Sequence, residues 1–207
     1  MSSPVASLAA LHPHTLTTPP SSGPTRLRVP DLLHATDQAA DDLLSGRCDH
    51  LLPDGGVPAS RRWFTRIHGD EELDVWLISW IPGHATELHD HGGSLGALTV
   101  VSGSLNELRW DGRTLRRRRL DAGDQAGFPL GWVHDVVWAP RPVTKPVTRP
   151  VTRADATAAT TSLAPAEPTL SVHAYSPPLT AMSYYEVTDR DTLRRRRTEL
   201  TETPEGP

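Results

Sequence analysis

The chain has 207 residues, 37% of them hydrophobic, with 21 Lys+Arg against 25 Asp+Glu for a net charge of -4. That length suits one domain with a core and a small-ligand cavity, and the charge balance gives no reason to expect nucleic acid or an anionic membrane as partner. One cysteine, Cys48, excludes an intramolecular disulfide and a thiolate metal site. No run approaches the roughly 18 apolar residues of a membrane span. No basic stretch leads into an apolar one at the start, so a cytoplasmic protein is expected.

In chain order, residues 1–25 are rich in Ser, Pro, Thr and Ala and are expected to form a disordered tail. The pair His12 and His14 lies there with Pro13 between them, a poor basis for a preformed site. Pro30-Asp31 opens a helix over Val29 to Leu44, whose Leu32, Leu33, Ala35, Ala39, Ala40, Leu43 and Leu44 fall at helical spacings, with Gly46 as the stop. Short strands follow at Arg62–Ile67, Leu73–Trp80, Ala97–Val101, Leu105–Trp110, Thr114–Leu120 and Val133–Trp138, punctuated by Gly, Pro and Asp turns. Leu73–Trp80 becomes apolar on both faces, as a central strand does. Arg116 to Arg119 read as a solvated edge that resists sheet-to-sheet pairing.

Residues 140–169 repeat Pro-Val-Thr three times at a spacing of four, flanked by Arg141, Lys145, Arg149 and Arg153, and read as an extended insertion between two strands. Thr169–Ser176 resumes as strand, with Ser171, His173 and Tyr175 sharing one face, a polar stripe where a core face would be apolar. Met182–Val187 gives the last expected strand, and residues 191–207, with Arg194 to Arg197, read as a charged tail. The whole is expected to be mainly β, a small β-barrel or double-sheet jelly roll with one or two N-terminal helices.

The chemistry concentrates in Gly83-His84-Ala85-Thr86-Glu87-Leu88-His89-Asp90-His91. Two histidines two apart on a strand project from one face, and imidazole suits Fe, Zn, Cu and Ni. A second segment, Gly123 to His134, offers a third histidine at the end of a strand-and-turn pattern. His84 is offset by an odd number from the pair and is expected to lie outside the ligand set. Three neutral imidazoles leave a divalent metal its full charge and open positions on one side, which serves O2 chemistry and equally a hydrolytic zinc. Ligand type alone does not separate the two.

Gly83, His89, His91 and Gly103 resemble the first cupin motif; Gly123, Pro129, Gly131 and His134 resemble the second. The glutamate that usually follows the first motif's histidines is absent, since Leu95 and Gly96 stand there. With Arg66 ahead of the histidines, His-Asp-His-Gly-Gly-Ser around them, Ser171-His173-Tyr175-Ser176-Pro177-Pro178 after the insertion and Met182 beyond, the chain resembles the thiol dioxygenases over roughly Arg61 to Val187, and is most similar to bacterial-type cysteine dioxygenase. The resemblance implies Fe(II) on His89, His91 and His134. It gives Arg66 as a bidentate clamp on the substrate carboxylate, and Ser171, His173 and Tyr175 as a relay that aims the phenol at the bound substrate. Phe64 replaces the family's frequent tyrosine. Gly93 replaces the cysteine that crosslinks to the tyrosine in animal members, so Tyr175 is expected to stay an unmodified phenol.

The function implied is oxidation of L-cysteine by O2 to cysteine sulfinic acid, a step of cysteine breakdown, with a small thiol and O2 as the only partners and a monomer expected. 3-Mercaptopropionate or another small thiol is the near alternative, ranked second because such relatives tend to carry Gln where this chain has Arg66. A non-catalytic metal-binding cupin sensor is the alternative from another class.

Overall fold

The structure, a computed structural model, describes residues 25–140 and 167–205. The expected tail, with His12 and His14, lies outside the described residues except for Thr25, and so does the Pro-Val-Thr insertion between Pro140 and Glu167. One helix, α1 (Val29–Leu44), and a short 3-10 turn (Asp49–Leu51) precede eleven strands. These are β1 (Trp63–Gly69), β2 (Asp74–Trp80), β3 (His89–Asp90), β4 (Leu95–Ser102), β5 (Ser104–Trp110), β6 (Leu115–Asp121), β7 (Gln125–Phe128), β8 (His134–Trp138), β9 (Thr169–Ser176), β10 (Ala181–Val187) and β11 (Leu193–Leu200). They form two antiparallel sheets, five-stranded in the order β1-β2-β9-β4-β7 and six-stranded in the order β11-β10-β3-β8-β5-β6. The expected mainly β fold is what the chain adopts, and of the one or two N-terminal helices expected, one α-helix is present among the described residues.

Helix α1 starts where Pro30 removes an N–H that no helical partner would take, and the Asp31 carboxylate accepts the Arg28 backbone N–H at 2.7 Å. Its apolar stripe packs on the outer face of the five-stranded sheet, where Leu32 and Ala39 meet Val75, Leu95, Ala97, Val172 and Ala174. This cover explains why β2 is apolar on both faces: Val75 faces the helix, while Trp76, Ile78 and Trp80 face inward. Between the sheets these three join Leu98, Leu105, Phe128, Val136, Leu179, Met182 and Tyr184 in one core. By the same alternation Val172 and Ala174 of β9 turn to the helix, and the polar stripe Ser171, His173 and Tyr175 turns into the barrel.

Arg116–Arg119 sit on the edge strand β6, as expected of a charged edge. The expected charged tail is corrected: Leu193–Leu200, with its own four arginines, is β11 and closes the other edge. Ladder bonds to β10 and ion pairs make this strand, with Arg194 on Glu186 and Arg197 Nη2 on Glu87 Oε1 at 2.9 Å, so apolar alternation is not needed. Arg197 also lies over the Tyr184 ring at 3.8 Å.

The turn between β4 and β5 depends on Gly103. It has φ +78, and an added Cβ would stand 2.3 Å from Thr169 Oγ1 and 3.0 Å from Thr169 Cα. Thr169 itself accepts the Ser104 N–H at 3.0 Å and donates to the Ser104 carbonyl at 2.9 Å, fixing the point where the chain re-enters the barrel after the insertion. Gly103→Ala should therefore lower stability by about 2 kcal/mol or more. Gly93→Ala, at a position with nothing within 4 Å of the added carbon, should change it by less than about 0.5 kcal/mol. Urea unfolding of the two variants checks the contrast.

Candidate metal centre

Register brings the histidines together. His89 of β3 is the direct cross-strand partner of His134 on one side and of Tyr184 on the other. His91 follows after one residue. Asp90 points away between them, accepting the Tyr185 hydroxyl at 2.6 Å and the Gly92 N–H at 2.9 Å, which holds the bend carrying His91. The three rings form a near-equilateral triangle, with centroids 4.9, 5.1 and 5.2 Å apart. All three residues are buried. Each expected ligand is thus in one cluster.

The His89 tautomer is set from behind. Glu87, at φ 63, turns its carbonyl to accept the His89 Nδ1–H at 2.9 Å, leaving Nε2 as the lone-pair nitrogen. Glu107 Oε1 stands 3.3 Å from His134 Nδ1, and Arg118 Nη2 holds the other oxygen of that carboxylate at 2.7 Å. Burial alone would raise the Glu107 carboxyl, but the contacts with His134 and Arg118 outweigh it and hold it down at about 2. Burial pushes His91 down to about 4, so its ring is neutral, as a metal ligand must be.

One member of the cluster comes from outside the motifs. Glu205, on the segment after β11, is fully buried and puts Oε2 3.2 Å from His89 Nε2 and Oε1 3.2 Å from His91 Nε2. Ligand atoms of His89, His91, His134 and Glu205 all lie within 4.8 Å of one another. His89 Nε2, His134 Nε2 and Glu205 Oε2 are buried without a hydrogen-bond partner among the described residues. Unsatisfied lone pairs converging in a buried cluster are costly unless a cation takes them, so this donor set fits a divalent transition metal. The inference that the site lacks a carboxylate is corrected to this extent: the first motif lacks one, and the tail supplies one. No carboxylate fits at Gly96, where even a Cβ would stand 2.8 Å from the Phe128 ring.

The polar stripe of β9 abuts the cluster as one hydrogen-bonded chain. Trp80 Nε1–H donates to Ser171 Oγ at 2.8 Å, and Ser171 Oγ lies 2.9 Å from His173 Nε2. His173 Nδ1 lies 3.2 Å from both the Tyr175 hydroxyl and Glu205 Oε1, and Tyr175 donates to Glu205 Oε1 at 2.6 Å. Burial alone would raise the Glu205 carboxyl; His89 and the contacts with His173 and His91 outweigh it and keep it ionised. His173 Nδ1 therefore faces acceptors and carries the proton, so Nε2 accepts from Ser171, whose oxygen in turn accepts from Trp80. Every group in the chain is satisfied with one direction of donation. Burial, with the charge of Glu205, drives the Tyr175 phenol well above its ordinary value, so it keeps its proton and donates it to Glu205.

Arg66 is placed farther out. Its Nε pairs with Asp74 at 3.4 Å, its guanidinium lies over Trp76 at 4.5 Å, and it lines a groove of about 310 Å³ with Asp74, Leu179, Thr180 and Glu202. Arg62, four residues earlier in the chain, is closer to the cluster: its Nη2 donates to the Pro204 carbonyl at 2.7 Å and its charge acts on Glu205 and Tyr175. His84 is outside the ligand group and packs edge-on against Trp80. Gly93 is exposed, Cys48 is buried beside the 3-10 turn, and the Tyr175 hydroxyl contacts His173 and Glu205.

The family model of cysteine dioxygenase type I matches residues 58–128. The matched stretch holds Arg62, Arg66, His89 and His91 and stops before His134, the β9 relay and Glu205, so the resemblance read from the motifs is supported over that stretch. No curated protein matches the sequence. Among solved structures, an uncharacterised protein with a double-stranded β-helix domain from Klebsiella pneumoniae is 16% identical, with 72% of this chain and 93% of that one covered and a TM-score of 0.42. A sugar phosphate isomerase of the cupin superfamily from Silicibacter pomeroyi is 18% identical, with 72% and 81% covered and a TM-score of 0.43. KdgF from Halomonas is 16% identical, with 58% and 82% covered and a TM-score of 0.39. Among the described residues, no helix is long and apolar enough to cross a membrane.

Glu107 offers a prediction. Held at about 2 when folded, against 4.5 as its ordinary value, it contributes about 3 kcal/mol. A carboxyl lowered on folding stabilises above its unfolded value, and that contribution fades as pH falls toward the folded value. Metal-free wild type should therefore lose stability steeply between about pH 5 and about pH 3, and Glu107→Gln should flatten that slope. Urea unfolding across this range reads it out.

Proposed function

We propose that the protein is an Fe(II)-dependent thiol dioxygenase that converts L-cysteine and O2 to cysteine sulfinate. The observation that carries this reading is a cluster of three buried imidazoles in contact, through Glu205, with a Ser171–His173–Tyr175 relay, in a chain whose first motif matches the cysteine dioxygenase model. Fe(II), when bound, would supply open positions where a thiolate and O2 meet. The sulfur is oxidised, O2 is reduced, and both oxygen atoms end on sulfur, so no external reductant is consumed.

The chain's own residues supply placement. His89, His91 and His134 would hold the iron, with Glu87 and Glu107 orienting two of the rings. Tyr175, fixed in its donor role by His173, Ser171 and Trp80, would donate to the sulfur or oxygen under attack. Arg66 would exchange Asp74 for the substrate carboxylate at the groove; Arg62 is the second candidate, because it already holds the carbonyl next to Glu205. The core and the helix-covered sheet exclude water from the site. The partners proposed are the thiol and O2 alone, with the chain acting as a monomer in the cytoplasm.

A metal-binding cupin without turnover is the second reading, favoured by one observation: the Glu205 carboxylate already fills space against His89 and His91. Oxygen consumption by the iron-loaded protein with L-cysteine, 3-mercaptopropionate and cysteamine separates these. The proposal expects L-cysteine to be the best substrate, and His134→Ala to lose bound iron and activity together. A preference for the thiol without the amine would remove the cysteine assignment, and cysteine binding without oxygen uptake would support the second reading.

A further inference from the structure

Glu205 reaches the histidines on a segment with a light hold on the rest of the fold. Among the described residues, the segment from Thr201 to Glu205 is tethered to other elements by the Thr201 N–H on the Thr180 carbonyl at 3.0 Å, Arg62 on the Pro204 carbonyl at 2.7 Å, and the Glu205 carboxylate itself. Glu202 and Thr203 are exposed, while Pro204 and Glu205 are buried. Glu205 takes a left-handed backbone conformation, φ 58, which disfavours a residue with a side chain. A charged side chain on a strained backbone stays buried only where its partners hold it, and those partners are His89, His91, His173 and Tyr175.

We propose that Glu205 is a fourth metal ligand that a small carboxylate-bearing thiol must displace, so that the site passes from three imidazoles and one carboxylate to three imidazoles and substrate. Its Oε2 is the buried oxygen without a hydrogen-bond partner and faces His89, as a ligand atom would. Its Oε1 accepts the Tyr175 hydrogen bond that the substrate is to receive, so internal ligand and substrate compete for one donor. A groove lined by Arg66, Asp74, Leu179, Thr180 and Glu202 borders the segment that carries Glu205, with Arg66 beside Asp74. The identity of the displacing ligand rests on the dioxygenase reading; the ligand role of Glu205 does not.

The test uses the full chain loaded with Co(II), whose visible spectrum reports coordination without turnover. Glu205→Gln and Glu205→Ala should each change the wild-type spectrum, and formate added to Glu205→Ala should restore it while leaving wild type unmoved. Without O2, L-cysteine should bind Glu205→Ala about ten-fold more tightly than wild type, the relief expected when an internal competitor is removed. Unchanged spectra in both variants, or an Ala variant insensitive to formate, would overturn the ligand assignment. Changed spectra with equal cysteine affinity would overturn the displacement. If formate restores the spectrum but cysteine binds neither protein, Glu205 remains a ligand and it is the thiol reading that falls.

Discussion

Imidazole nitrogens buried in an apolar barrel cost free energy until something takes their lone pairs. The structure concentrates that cost in one place, where His89, His91 and His134 converge with Glu205, and surrounds it with groups that make any relief by rotation difficult. The Glu87 carbonyl holds the outer nitrogen of His89, Glu107 stands 3.3 Å from that of His134, and the Phe128 ring packs 4.2 Å from the His134 ring. The resulting site is preorganised: its ligands need not be gathered when the metal arrives.

The rest of the fold serves that convergence. The short β3 is wedged between β8 and β10, so His89 meets His134 across one ladder and Tyr184 across the other. Helix α1 covers the outer face of β2 and β9, which frees the inner face of β9 to carry polar groups without exposing the sheet to water. Charged edges at β6 and β11 close the six-stranded sheet on both sides. They also reach inward, since Arg118 pairs with Glu107, which contacts His134, and Arg197 pairs with Glu87, whose carbonyl accepts from His89. Surface charge thereby supports buried geometry.

Much of this was readable from the sequence because it is written locally. The helix bounds, the two-sided burial of β2 and the polar stripe of β9 follow from periodicity, and the three histidines follow from two motifs. What escaped was non-local or went against pattern. Leu193–Leu200 has no apolar alternation, because its strand is held by β10 and by ion pairs. Glu107 left a faint signal, an acidic residue in phase with the core residue Leu105 on β5. Glu205 left none: a glutamate beside proline in a charged segment has no spacing that ties it to a histidine far earlier in the chain. Arg66 was singled out by motif, whereas its neighbour Arg62 is the guanidinium beside Glu205, a difference only the strand's path could show.

The central claim is that the three imidazoles form one metal site. Crystals grown from iron-loaded protein and measured on both sides of the iron absorption edge test it most directly. A single anomalous peak about 2 Å from the Nε2 atoms of His89, His91 and His134 is the predicted result. A peak elsewhere, or an iron-free cluster in protein that carries iron, would contradict it.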